Sequence, residues 1–156
     1  MIDVLKTQSS DDGNVRQDLL RQAIEQLYFG YRAFTEQPDR MLEQRGLNRV
    51  HHRILYFVGR RPQLTVNTLL ATLNVTKQAL NAPLRQLIGM GLVEMRTAEH
   101  DKRLRLLALT AAGMQLEAQL TGTQIQQVFA AFEDAGPDAV VGWLKVMRSL
   151  SKVQSG

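Results

Sequence analysis

At 156 residues the chain is the size of one typical domain, long enough for a real hydrophobic core and too short for two large ones. Hydrophobic residues make up 44% and charged residues 22%, which excludes wholesale disorder. Cysteine is absent, so disulfides, zinc ribbons, thiol redox chemistry and cysteine nucleophiles are excluded as well. No apolar run approaches the roughly eighteen residues of a spanning helix, and the amino end, MIDVLKTQSSDDGN, lacks the basic-then-apolar build of a signal peptide. A cytoplasmic protein is expected. The net charge of +4 is unevenly spread: Arg45 to Arg105 holds eleven basic residues against three acidic ones, net +8, and the remainder is net −4. A basic middle between acidic ends suits a polyanion-binding module between structural arms, the alternative being a solvated face.

Polar residues through Asn14 read as a disordered tail, residues 1–14. Val15, Leu19, Ala23, Ile24, Leu27, Tyr28, Tyr31 and Phe34 then recur at three-and-four spacing up to Pro38, predicting a long amphipathic helix that, with its linker, occupies residues 15–46. A second helix starts with Asn48 as N-cap, turns Val50, Ile54, Phe57 and Val58 inward, and stops at Gly59. Arg49, Arg53 and Arg60 share one flank of it, as a solubilising stripe or a phosphate-facing one. Thr65 caps a short helix with Val66, Leu69, Leu70 and Leu73 inward, and Thr76 caps another after only Asn74 and Val75, which reads as a helix-turn-helix.

In the second of these short helices Leu80, Pro83, Leu84 and Leu87 face inward, while Lys77, Gln78, Asn81, Ala82 and Arg85 face out. Lys and Arg pair with guanine edges and phosphates, Asn and Gln bond adenine, and Ala contacts a thymine methyl, so the outer set is a candidate base-reading face, and it carries no acid. Gly91 closes the helix. Leu92–Arg96 and Leu104–Leu109 are β-prone runs around a charged tip from Thr97 to Arg103, predicting a hairpin. Thr110 caps a last long helical region, broken at Gly136-Pro137, after which Val140, Val141, Leu144, Met147 and Leu150 are expected inward.

From Leu47 onward this sequence resembles the MarR (multiple antibiotic resistance regulator) family of bacterial transcription regulators. The resemblance rests on LTVNTLLATLNVTKQAL, LRQLIGMGLVEMR and HDKRLRLLALTAAG. Its most specific part is Asp101-Lys102-Arg103 followed, at fixed spacing, by Leu109-Thr110-x-x-Gly113. The fold expected is mainly α with a small β-hairpin wing: a winged helix-turn-helix lobe over residues 47–109, with N- and C-terminal helical dimerisation arms, the latter over 110–156. The resemblance implies a homodimer on pseudo-palindromic double-stranded DNA, acting as a repressor. Within the wing, Arg103 suits the minor groove, where a cation is drawn and little sequence is read, and Asp101 suits a role in holding the guanidinium or the hairpin backbone. Thr65, Thr76 and Lys102 complete the expected DNA-binding set with Lys77, Gln78, Asn81, Ala82, Arg85, Asp101 and Arg103.

The sequence departs from the family pattern at three places. Pro83 lies past the first turn of the reading helix and is expected to kink it, Leu70 stands where a small residue is usual, and Asn74 replaces the usual turn glycine.

For catalysis the sequence offers no nucleophile with a base, no paired carboxylates and no phosphate loop, so no enzyme and no cofactor are expected. His51 and His52 point to different sides of a helix, which suits shared metal ligation poorly. By the family resemblance a small aromatic or anionic effector would sit between the arms and the lobe, with Tyr28, Tyr31 and His51 as candidate ligand-binding residues. Core packing of the tyrosines, and a satisfied buried His51, are the alternatives. The competing function is a winged-helix protein-interaction module without a specific DNA target, and a polar, acid-free reading face beside a cationic wing favours DNA.

Overall fold

The computed structural model describes residues 2–152, with side chains from residue 11 onward. The chain divides into two compact units between Glu36 and Gln37. Helix α1 (Ile2–Glu43) supplies the first unit and enters the second. It covers residues 2–14, where the sequence suggests a disordered tail. That stretch contains no proline, and its one glycine, Gly13, costs a helix only about 1 kcal/mol relative to alanine, so polarity alone does not stop the helix. Nor does the helix end at Pro38, whose ring is fully buried and so offsets the lost hydrogen bond with packing.

The second unit continues with α2 (Arg49–Arg60), β1 (Leu64–Thr65), α3 (Val66–Leu73), α4 (Lys77–Gly89), β2 (Val93–Thr97), β3 (Arg105–Leu109), α5 (Ala111–Ala135) and α6 (Pro137–Lys152). Four helix starts were legible as caps. Asn48 accepts from Val50 N at 3.0 Å, and Thr65, Thr76 and Thr110 accept from the backbone N–H three residues on at 3.0–3.1 Å. The hairpin lies one residue along from the expected strands, with Val93 opposite Leu109 and Thr97 opposite Arg105. The third strand, β1, was not foreseen: Leu64 and Thr65 pair with Leu107 and Leu106 to give an antiparallel sheet of order β1-β3-β2. Two residues are too few to show a period, and Thr65 is already used as a cap.

The core gathers α2 (Ile54, Leu55, Val58), Leu69 of α3, α4 (Leu80, Leu84, Leu87), the wing strands (Val93, Leu107, Leu109) and α5 (Leu116, Leu120). The Leu-Thr-x-x-Gly segment welds wing to helix. Thr110 Oγ1 accepts from Gly113 N and donates to Gly91 O at 2.6 Å, while Thr110 N donates to Leu92 O at 3.1 Å. Gly113 then lies so close to the Leu92 backbone that an added methyl would overlap its carbonyl. Beyond Thr121 full burial stops. Helix α6 fully buries none of its residues: of the expected inward set Val140 and Met147 are half-buried, while Val141, Leu144 and Leu150 stay exposed.

Candidate nucleic-acid interface

Asn74 supplies the turn between α3 and α4. It adopts φ 52°, ψ 47°, the left-handed conformation for which asparagine is the best substitute for glycine, and its N–H donates to Ala71 O and Leu70 O. Thr76 then starts α4, which runs unbroken as helix through Pro83 to Gly89. Leu80, Leu84 and Leu87 anchor its inner side, and Lys77, Gln78, Asn81, Ala82 and Arg85 are all exposed. Leu70 is accommodated as a half-buried residue against the core.

The outer face of α4 is not uniform. Lys77, Asn81 and Arg85, spaced four apart, border an open hollow of about 350 Å³ whose other wall is the wing; Gln78 and Ala82 lie outside it. The wing contributes Met95, Arg103, Leu104 and Arg105, and the start of α3 contributes Thr65 and Asn67. No acidic side chain lines the hollow.

At the wing tip Asp101 accepts from Arg103 twice through Oδ1, from the backbone N at 3.0 Å and from Nε at 3.1 Å. A longer contact joins Arg103 Nη2 to Oδ2 at 3.4 Å. The Arg103 side chain, and then its backbone N–H, hold the Asp101 carboxyl below its ordinary value of 3.8, so it is ionised at neutral pH. The result is an arginine that is 92% exposed yet fixed in direction, with exposed Lys102 beside it. Arg105, which is not among the expected DNA-binding residues, also borders the hollow. The signal for it was present in strand alternation, since positions 105, 107 and 109 share a face and Leu107 and Leu109 are buried.

The candidate effector residues fare differently. His51 is buried with both ring nitrogens engaged: Nδ1 accepts from Asn48 N at 3.0 Å, closing a capping box, and Nε2 lies 2.8 Å from Gln86 Oε1. The amide of Gln86 donates in turn to Gly46 O, so His51 ties the start of α2 to α4. Tyr28 and Tyr31 are exposed on α1, outside any core of the chain. His52 is buried against α5, with Nε2 3.1 Å from Thr121 Oγ1. Burial lowers its pKa from the ordinary 6.5, Glu117 and Asp39 oppose that shift, and Arg53 adds to it. Among the described residues no group of three acids or histidines is placed to hold a metal, and no helix is long and apolar enough to cross a membrane.

A helix-turn-helix whose second helix shows an acid-free cationic face, beside a hairpin with a clamped arginine, defines a winged-helix DNA-binding regulator. The profile of the MarR family matches residues 45–104. The chain is 48% identical over 131 residues to the HTH-type transcriptional regulator PetP of Rhodobacter capsulatus, covering 84% of this chain and 79% of that one. Among solved structures, Streptococcus pneumoniae FabT in complex with DNA superposes with a TM-score of 0.76 at 16% identity, over 89% of this chain and 97% of that one. NadR in complex with 4-hydroxyphenylacetate gives 0.69 at 22% identity, over 81% and 90%. The chain belongs to the MarR family and is a transcriptional regulator of the helix-turn-helix type, not an enzyme.

Proposed function

We propose that the protein is a cytoplasmic bacterial repressor that binds a pseudo-palindromic operator as a homodimer, with α4 in the major groove and Arg103 in the adjacent minor groove. The observation that carries this reading is the convergence of Lys77, Asn81 and Arg85 with Arg103 around one hollow without an acid. The FabT–DNA complex supports the same use of the fold. Asn81 and Arg85 read adenine and guanine edges, Gln78 and Ala82 flank them, Lys77 with Thr65 and Thr76 meets the backbone, and Lys102 adds charge at the wing. Exposed apolar side chains on α1 (Leu19, Ile24, Leu27) and, separately, on α6 (Val141, Trp143, Leu150) support a second copy as their cover.

A small aromatic or anionic effector releases the DNA. The NadR complex supports that class of ligand, with Tyr28 and Tyr31 the exposed aromatic candidates. His51 joins such a site only by exchanging one of its two present hydrogen bonds.

Binding profiles over single-base changes in a selected duplex test the roles. Asn81→Ala or Arg85→Ala removes about 1–3 kcal/mol of discrimination at one base pair per half-site, whereas Lys77→Ala weakens all sequences alike. Uniform losses for Asn81 and Arg85, with position-specific loss for Lys77 alone, reject these assignments.

A further inference from the structure

The hollow between α4 and the wing has a fourth cation that the reading above does not use. Arg105 lies on the inner face of β3, opposite Thr97, and lines the same hollow as Arg85, Lys77 and Arg103. Of the hollow's arginines, Arg103 is paired to Asp101 at 3.1 Å, whereas Arg85, like Arg105, has no ion pair among the described residues. Gathering cations around a cleft without a carboxylate is unfavourable in the free protein, and the arrangement becomes favourable when an anion enters.

We infer that this hollow seats a backbone phosphate of the bound DNA, with Arg105 as a wall of the clamp facing α4. The inference rests on the DNA-binding reading above and adds to it a contact and a residue. If α4 occupies the major groove and Arg103 the neighbouring minor groove, the strand that separates those grooves must cross the space between helix and wing. What passes over the hollow is therefore sugar and phosphate. The Arg105 guanidinium on the wing wall and the Lys77 ammonium on the α4 wall match the two free oxygens of one phosphate, each giving charge-assisted hydrogen bonds. The apolar floor, with Ile88, Met95 and Leu104, suits a deoxyribose better than a hydrated free ion. A phosphate contact carries no sequence information and fixes register instead, so Arg105 holds the helix at the depth where Asn81 reads.

The test uses the full chain on a mixed-sequence duplex, titrated across a range of salt, with thermal melts confirming that each variant is folded; exposed Arg105 tolerates exchange. Arg105→Gln is expected to lower affinity on the order of ten-fold, the size of one charge-assisted hydrogen bond, and to reduce the slope of log K against log salt by about 0.9 per phosphate released. Arg105→Lys keeps most of the slope. Unchanged affinity and slope in Arg105→Gln, while Arg103→Ala and Lys77→Ala lose theirs, overturn the clamp and leave the DNA-binding reading standing. A loss confined to particular sequences also overturns it, since that is base contact. Absence of salt-dependent binding in the unsubstituted protein defeats both.

Discussion

Helices α2 and α6 carry the same kind of apolar stripe and meet opposite fates. In α2, Ile54, Leu55 and Val58 are at most 2% exposed, closed over by α4, the wing and α5. In α6, Val141, Trp143 and Val146 are 50–66% exposed, and Trp143 meets only Phe132 edge-on among the described aromatic contacts, at 5.6 Å. Periodicity therefore says that a face must be covered and is silent on whether the cover comes from the same chain. The lobe closes its core in one copy, whereas the terminal helices leave apolar faces exposed, which is where the dimer proposal draws its force.

The largest effect expected from this contrast follows removal of the exposed face. A chain ending at Gly136 should be monomeric or insoluble and lose operator affinity, read by light scattering and DNA titration. A well-folded monomer with undiminished affinity would show that α6 needs no partner.

Within the lobe, the tightest joint is predicted by the contact of Gly113 with Leu92. Gly113→Ala forces that backbone apart and should destabilise the fold by about 3 kcal/mol, the upper end of ordinary overpacking, in urea or thermal unfolding. Thr110→Ala, which removes a cap and the bond to Gly91 O, should cost about 1–2 kcal/mol, and Thr110→Ser should recover most of it. A neutral Gly113→Ala would show that the motif is kept for some reason other than packing.

A smaller effect concerns His52. Its folded pKa lies below the ordinary 6.5, so the unfolded chain takes up the proton first as pH falls. The stability tied to the neutral ring is thus fully present above about pH 6.5 and declines as pH drops through that value toward the lower folded pKa. His52→Gln should flatten stability against pH between 7.5 and 5 relative to the unsubstituted chain, with the gap between the two narrowing at the acid end. A gap that widens on acidification would mean that Glu117 and Asp39 outweigh burial.

What the sequence disclosed follows the reach of each interaction. Caps at Asn48, Thr65, Thr76 and Thr110 act over three residues and were legible, as was the left-handed turn at Asn74. The Asp101–Arg103 pair spans two residues and was legible too. Long-range pairings were not. The partner of His51 is 35 residues away and that of His52 is 69, β1 is visible only once β3 lies beside it, and the hollow exists only where α4 and the wing come together. Pro83 does not end its helix, which continues to Gly89 with Leu80, Leu84 and Leu87 buried on both sides of it.

We propose that the exposed face of α4 reads one specific DNA sequence while the clamped wing arginine anchors the protein on it. Selection of bound duplexes from a random pool tests it most directly. The expected result is enrichment of a pseudo-palindrome whose half-site centres lie about 34 Å apart, one turn of DNA, with the enrichment altered at defined positions by Asn81→Ala and weakened throughout by Arg103→Ala. A pool that stays random while the protein remains folded and dimeric would contradict it.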